Sequence, residues 1–144
     1  MKIDDGTWNY LQNLLGYSDE EMKHFKENPR NVDVVSKISA IANKTIIAEV
    51  IESHGCLIEH KVGDKLYFDG GGNLITKLCP KRVCTLALGP MIPMLFCVQE
   101  LAYAESNPND MRFKRVGCPD VGVGCGGWGH VVFELRVEER KKPA

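Results

Sequence analysis

Cysteine and histidine are the residue types in this chain that are best suited to chemistry, and four of them fall at the ends of predicted elements, where functional residues are usually presented. Cys56 and His60 lie in the connection between the first two predicted strands, Cys79 precedes Pro80, and Cys118 ends the third strand. Three thiolates and one imidazole form a common tetrahedral zinc set. The sequence therefore predicts a zinc or iron site made by Cys56, His60, Cys79 and Cys118, which would be hydrolytic if one position were left to water.

Two other interpretations of these residues stay open, because the spacing contains no C-x-x-C pair. In the first, the protein is a metal-free thiol enzyme with Cys79 as nucleophile and His60 as base. Pro80 is expected to open a helix, so Cys79 would be its N-cap, and the positive end of the helix dipole would stabilise a thiolate. Lys81 and Arg82 add positive charge nearby. In the second, the cysteines are small buried hydrophobic residues.

The remaining candidates carry weaker signals. Cys97 lies inside an apolar helical segment, where packing is the simpler role. Cys125 belongs to the glycine-rich segment 121–129, which is expected to form a flexible lid or a bulged hairpin. A strand follows this segment instead of a helix, so its likeness to a phosphate-binding loop does not favour nucleotide binding. Asp64 and Asp120 suit turn formation, the orientation of a histidine or the binding of a cation. His130 opens the last strand on its outward side.

The elements that must position these residues begin with helices. A helical stripe ends at Gly16, Ser18 and Glu21 form a capping-box pattern, and the second helix should end before Pro29. Another apolar helical stripe follows from 34 to 42. The chain then changes to β-branched and alternating patterns, which predict strands over 45–51, 65–68, 111–118 and 130–138. A long helix is predicted from Pro80 towards Tyr103, with an interruption near 89–93.

The predicted fold class is therefore α+β. N-terminal helices are followed by a β-β-α-β-β core, in which a small antiparallel or mixed sheet carries a long helix on one face. The domain prediction is an N-terminal helical extension over 1–43, packed on a core domain over 44–144. The extension is expected to dock a protein partner or a second copy of the chain through Trp8, Leu11 and Leu15.

Composition and charge bound the function. The formal net charge is −1 over 144 residues, and the only basic stretch is Arg140 to Lys142, so nucleic-acid binding is not expected. The start of the chain lacks an apolar signal segment, and the longest apolar stretch, 83–98, is broken by glycine and proline, so no membrane partner is expected. We therefore expect a cytoplasmic protein whose six cysteines are free, metal-bound or redox-active.

The segment from 45 to 138 resembles an uncharacterised family of small cytosolic proteins, mostly from anaerobic bacteria and archaea. Four places carry the resemblance: Gly55-Cys56 leading into His60-Lys61-Val62-Gly63-Asp64-Lys65, Leu78-Cys79-Pro80, Gly117-Cys118-Pro119-Asp120, and Val131-Val132-Phe133-Glu134-Leu135. The family usually has glycine where this chain has Glu59, and residues 1–43 and the insert with Cys125 are extra. The family has no assigned activity, so the resemblance indicates positions and no reaction. It does suggest a third hypothesis, an accessory subunit of a larger anaerobic enzyme.

Overall fold

The computed structural model describes residues 2–141, which divide into two compact units between Ser39 and Ala40. The first unit is helical and the second contains a sheet and a long helix. The predicted boundary after residue 43 coincides with the start of the first strand. That the extension packs on the core stays a prediction.

The helices of the first unit begin and end at the signals that the sequence carries. They are α1 (Asp5–Leu15), α2 (Asp19–Glu27) and α3 (Pro29–Ser36), and a short α4 (Ser39–Ala42) follows at the junction. Gly16 ends α1 with φ of 67°, a left-handed conformation that favours glycine. Ser18 and Glu21 form both bonds of the capping box. The stripe predicted over 34–42 is divided between α3 and α4, because the chain turns at Lys37 and Ile38.

The second unit is built on one antiparallel sheet of four strands: β1 (Lys44–His54), β2 (Lys65–Asp69), β3 (Arg115–Gly117) and β4 (His130–Glu139). Their order across the sheet is β2-β1-β4-β3. This confirms the predicted α+β class with a small antiparallel sheet. Short 3₁₀ helices at Thr76–Leu78, Pro108–Asp110 and Val123–Cys125 lie between the main elements, so the plain β-β-α-β-β order is not matched.

One face of this sheet forms the core together with the long helix α5 (Thr85–Tyr103). Side chains alternate across a strand, and Val131, Phe133 and Leu135 of β4 are accordingly buried on the same face. From α5, the buried side chains that join the same cluster are Ala87, Met91, Val98 and Ala102. The helix is long and apolar enough to cross a membrane by length and composition. A core helix meets the same test, and this one buries four side chains in the cluster.

Two predictions about α5 were wrong. Pro80 does not open the helix: α5 begins five residues later, with Cys84 as its N-cap. Cys79 instead follows a 3₁₀ turn in an extended conformation, which is what a following proline imposes. The helix is also continuous through Pro90 and Pro93. Each proline removes one helical hydrogen bond, and buried side chains on both sides of the two prolines hold the helix in the core.

β3 is shorter than the strand predicted over 111–118 because a side chain replaces part of its pairing. The Asn109 amide nitrogen donates to the carbonyl of Val137 at 2.9 Å, and its amide oxygen accepts from the Val137 N–H at 2.8 Å. These bonds satisfy backbone groups of β4 that a longer β3 would otherwise pair. β3 therefore pairs with β4 only from Arg115 to Gly117, which face Glu134 to Val132.

Substitution of Phe133 tests the core, because this side chain is 1% exposed within the cluster. Phe113, which is 70% exposed, is the control. We expect Phe133→Ala to lower the free energy of unfolding by about 3–5 kcal/mol, through lost burial and the cavity left behind. The same substitution at Phe113 should change it by less than about 0.5 kcal/mol. Urea unfolding followed by circular dichroism measures both, and equal effects would contradict this core.

Candidate functional site

Cys118 and His130 lie together where β3 ends and β4 begins. The Cys118 Sγ is 3.7 Å from the His130 Nδ1, and both residues are half-buried. The sulfur also accepts a hydrogen bond from the Val131 N–H at 3.3 Å. Within the described part of the chain, this is the only hydrogen bond between a cysteine sulfur and a histidine ring. The antiparallel pairing of β3 with β4 explains it, because it brings the end of one strand beside the start of the other.

The hydrogen-bond partners of His130 define its tautomer. The His130 Nδ1 is 2.5 Å from the Asp120 carbonyl oxygen. A carbonyl oxygen accepts and does not donate, so Nδ1 carries the hydrogen. The single Nδ1–H is directed first to the Asp120 carbonyl, and the Cys118 sulfur is its second and more distant neighbour. The Cys118 thiol faces the same carbonyl at 4.0 Å. Because Nδ1 already carries a hydrogen, it does not withdraw the thiol proton.

Glycine provides the space for the His130 ring. A Cβ added to Gly117 would lie 2.9 Å from both the Cε1 and the Nε2 of His130. At the neighbouring end of β4, a Cβ on Gly129 would lie 2.2 Å from the Gly55 carbonyl oxygen. At Gly129 the close atoms are backbone, so the approach of β1 to β4 at this end of the sheet requires glycine there. At Gly117 a side chain would displace the His130 ring.

The carboxylate of Asp120 binds the backbone at both ends of the glycine-rich segment 121–129. The carboxylate oxygens accept hydrogen bonds from the backbone N–H groups of Gly122 at 2.9 Å, Trp128 at 3.1 Å and Gly129 at 3.2 Å. These bonds, that from Gly122 foremost, lower the pKa of Asp120 below its ordinary value of 3.8. The segment is therefore a loop whose two ends are held by one side chain, and the same residue holds His130 through its carbonyl.

His60 lies in a different environment. The residue is 4% exposed, and its Nε2 accepts a hydrogen bond at 3.3 Å from the backbone N–H of Cys84, the N-cap of α5. Its ring contacts Phe133 edge-on at 6.3 Å between ring centroids. On the other side, the Nδ1 is 4.0 Å from the Asp64 Oδ2, which is beyond hydrogen-bond distance. The sequence prediction paired His60 with Cys79, whereas its observed cysteine partner is the backbone of Cys84.

Cys79 contacts backbone groups of the sheet edge. Its sulfur accepts from the Tyr67 N–H at 3.3 Å and donates to the Ile75 carbonyl at 3.4 Å. The N–H of Tyr67 belongs to the edge strand β2, so the sulfur satisfies a donor that has no neighbouring strand. Since α5 begins after Cys84, the helix-dipole argument for Cys79 as nucleophile no longer applies.

Three of the four predicted metal ligands pack against the hydrophobic core. Cys56, Cys79 and Cys118 are partly buried against the same hydrophobic cluster. Over residues 2–141, however, the structure contains no group of three or more histidine, cysteine, aspartate or glutamate side chains that could hold a metal ion. The zinc or iron site stays a prediction. Cys97 and Cys125 are exposed.

The pairing of Cys118 with His130 is the functional feature that sequence reasoning missed. The sequence contains a signal for this contact, because Cys118 ends one predicted strand and His130 opens the next. Antiparallel pairing of these two strands brings the two ends together. The interpretation of Asp120 as a residue that orients a histidine agrees with the structure, although the contact uses its backbone carbonyl.

Comparison of the chain with models of protein families, with curated proteins and with solved structures finds no match. The resemblance described above therefore stays a prediction. The geometry of the site is then the basis on which a function is proposed.

Asp120→Ala tests the loop closure. Without the carboxylate, the amides of Gly122, Trp128 and Gly129 lose their acceptor, and their hydrogen exchange at pH 7 should accelerate about tenfold or more. Chymotrypsin cleavage after the exposed Trp128 should accelerate as well. The control is Asp110→Ala, which removes an exposed carboxylate that has no such bonds. Unchanged exchange in the Asp120 variant would contradict the closure.

The same carboxylate predicts a pH dependence with a defined sign. The pKa of Asp120 is lower in the folded protein than its ordinary value of 3.8, so the stabilisation is complete above that value. It is lost as the pH falls through the lowered pKa. The side-chain carboxyl ¹³C resonance of Asp120 should therefore stay constant from pH 7 to about pH 4 and move only at lower pH. A midpoint above the ordinary value would be inconsistent with these bonds.

Proposed function

We propose that this protein is a metal-free thiol protein in which Cys118 is the nucleophile and His130 its hydrogen-bond partner. The observation that carries the proposal is the 3.7 Å contact between the Cys118 Sγ and the His130 Nδ1. The proposal keeps the thiol-enzyme hypothesis drawn from the sequence. It replaces the residues of that hypothesis, Cys79 and His60, with Cys118 and His130.

The chemistry of this pair follows from the direction of its donors. Cys118 receives one N–H from Val131 and faces a second on His130. Donors aimed at a sulfur stabilise its anionic form, which is the nucleophile in thiol chemistry. His130 thus acts as a donor that positions the sulfur and balances its charge. An imidazolium would serve this role more strongly, since its positive charge would lie beside the sulfur.

The surroundings of Cys118 also support a reactive sulfur. The residue is half-buried, so the sulfur is held in place and still reached by small reagents. The adjoining loop exposes apolar side chains, with Val121 60%, Val123 76% and Trp128 71% exposed. Exposed apolar groups beside a nucleophile suit the binding of an apolar portion of an electrophilic substrate. Free thiols also fit a reducing compartment, so we include a cytoplasmic location in the proposal.

Alkylation rates of individual cysteines test this proposal. With iodoacetamide at about pH 6.5, we expect Cys118 to react roughly tenfold faster than the exposed Cys97, as read by peptide mass spectrometry. His130→Ala should remove this difference, because the sulfur loses one donor. His130→Asn should restore part of it, since asparagine places an N–H near the position of Nδ1. His24→Ala, which removes a histidine from the exposed surface of α2, is the matched control.

Gly117→Ala provides a second test that leaves Cys118 and His130 in the sequence. The added Cβ would displace the His130 ring, so the Cys118 rate should fall towards that of His130→Ala. The proposal fails if Cys118 reacts no faster than Cys97, or if neither His130→Ala nor Gly117→Ala changes its rate. Circular dichroism of each variant separates a local effect from unfolding.

Zinc or iron binding by Cys56, His60, Cys79 and Cys118 is the competing prediction, and elemental analysis decides between the two. Anaerobically purified protein should contain less than ~0.2 metal ion per chain if the thiol proposal is correct, because a structural site would be close to fully occupied. Stoichiometric metal that is lost in Cys118→Ser would support the metal site instead.

A role as an accessory subunit stays a separate prediction, which the surface of α1 favours. Of the three residues named in that prediction, Leu15 is 44% exposed and Trp8 and Leu11 are half-buried. Tyr10 and Leu14 of the same helix are 68% and 65% exposed. Exposed apolar side chains on one helix suit docking to a protein partner or to a second copy. If deletion of residues 1–43 leaves such a complex intact, this helix is not its docking surface.

A further inference from the structure

A cavity of about 290 Å³ lies between the β1–β2 connection and the segment that leads into α5. Its polar lining consists of Glu59, His60, Lys61, Asp64, Lys81 and Arg82. Neither Cys118 nor His130 lines it, so it is separate from the thiol pair. Three of these side chains are basic and two are acidic, so their formal charge is positive before any protonation of His60.

The buried imidazole of His60 presents a donor on the cavity side. Because the Nε2 accepts the Cys84 N–H, the hydrogen of the neutral ring is on Nδ1. The ionisable side-chain atom beside this Nδ1 is the Asp64 Oδ2 at 4.0 Å, which is too far for a hydrogen bond. The side chain is 3% exposed, so the donor is held in a fixed direction. No buried side-chain nitrogen or oxygen of the described residues lacks a hydrogen-bond partner, so this N–H is accessible from the cavity, where a ligand oxygen would be favourable.

Two lysines at the rim supply positive charge that no carboxylate neutralises. Lys61 and Lys81 are exposed, and neither forms an ion pair in the part of the chain that the structure describes. The two carboxylates that line the cavity have partners of their own within it. The Asp64 carboxylate accepts the Lys61 backbone N–H at 2.9 Å, and the Glu59 carboxylate is 3.7 Å from the guanidinium of Arg82.

The backbone at Glu59 adds a further sign of a built site. Its φ is 62°, a left-handed conformation that a residue with a side chain adopts at a cost. A glycine would avoid this strain, yet a glutamate is present. Its carboxylate forms an ion pair with Arg82, which also lines the cavity. Strained backbone of this kind concentrates at ligand sites.

We propose that this cavity binds a phosphate group. Lys61 and Lys81 would neutralise its charge from the rim, and the Nδ1–H of His60 would donate to one of its oxygens. A phosphate oxygen accepts hydrogen bonds from several directions and carries the charge that two free ammonium groups favour. The volume is sufficient for such a group with part of an attached molecule.

Titration with inorganic phosphate tests this inference on the full chain. The ring resonances of His60, followed by NMR at constant ionic strength, should shift with saturation. Lys61→Gln combined with Lys81→Gln should weaken the apparent Kd at least ~10-fold, since two charge-assisted contacts are lost. Lys77→Gln removes the same charge from an exposed residue outside the cavity and should change the Kd less than ~2-fold. These lysines are exposed, so their replacement leaves the core intact.

Acetate and chloride at matched ionic strength complete the experiment. If acetate produces the same His60 shift at the same concentration, the cavity is a carboxylate site and the phosphate assignment is overturned. If chloride alone reproduces the shift, or if the double variant binds phosphate as well as the wild type, there is no specific anion site. A shift specific to phosphate that the double variant loses establishes it.

Discussion

The pairing of β1 with β4 is the constraint on which the second unit depends. It runs from Lys44 opposite Glu139 to His54 opposite His130, with one irregularity between Val50 and Glu52. Along this length the alternation of side chains directs one face into the cluster with α5. At its far end, the pairing brings Gly55 against Gly129 and sets His130 at the start of β4, beside the end of β3. The thiol pair is a consequence of this register, because a shift by one residue would turn His130 to the other face of the sheet.

Two of the cysteines accept hydrogen bonds from strand backbone, and only one of the two lies beside a histidine. The Cys79 sulfur accepts from the N–H of Tyr67 on the edge strand β2, and the Cys118 sulfur accepts from the N–H of Val131 on β4. Both sulfurs thus act as acceptors for strand backbone. Only Cys118 has an imidazole beside it. A cysteine that completes the hydrogen bonding of a strand is structural by default, and the adjacent donor of His130 is what gives Cys118 a chemical role in our proposal.

Much of the fold could be predicted from local patterns. The end of α1 at Gly16, the capping box of α2 and the alternation along β4 follow from residue types over a few positions, and the structure contains each of them. The start of α5 could not be predicted in the same way. Pro80 is a good first residue for a helix, but the N–H of Cys84 is bound by His60, which is 24 residues away in sequence. The continuity of α5 through Pro90 and Pro93 likewise depends on packing that no local pattern contains.

The sequence by itself determined which residues are chemically capable and which elements carry them, because residue type and short-range periodicity depend only on neighbours along the chain. It identified Cys118, His60 and Asp120 as residues of interest, and it predicted the α+β class that the structure has. The tertiary structure alone decided which of these residues meet. Strand register directed Cys118 to His130, whereas His60 bonds the backbone of Cys84 and Cys79 bonds the backbone of Tyr67 and Ile75. Contacts of this kind join residues that are distant in sequence, and their choice depends on how the whole sheet and helix pack.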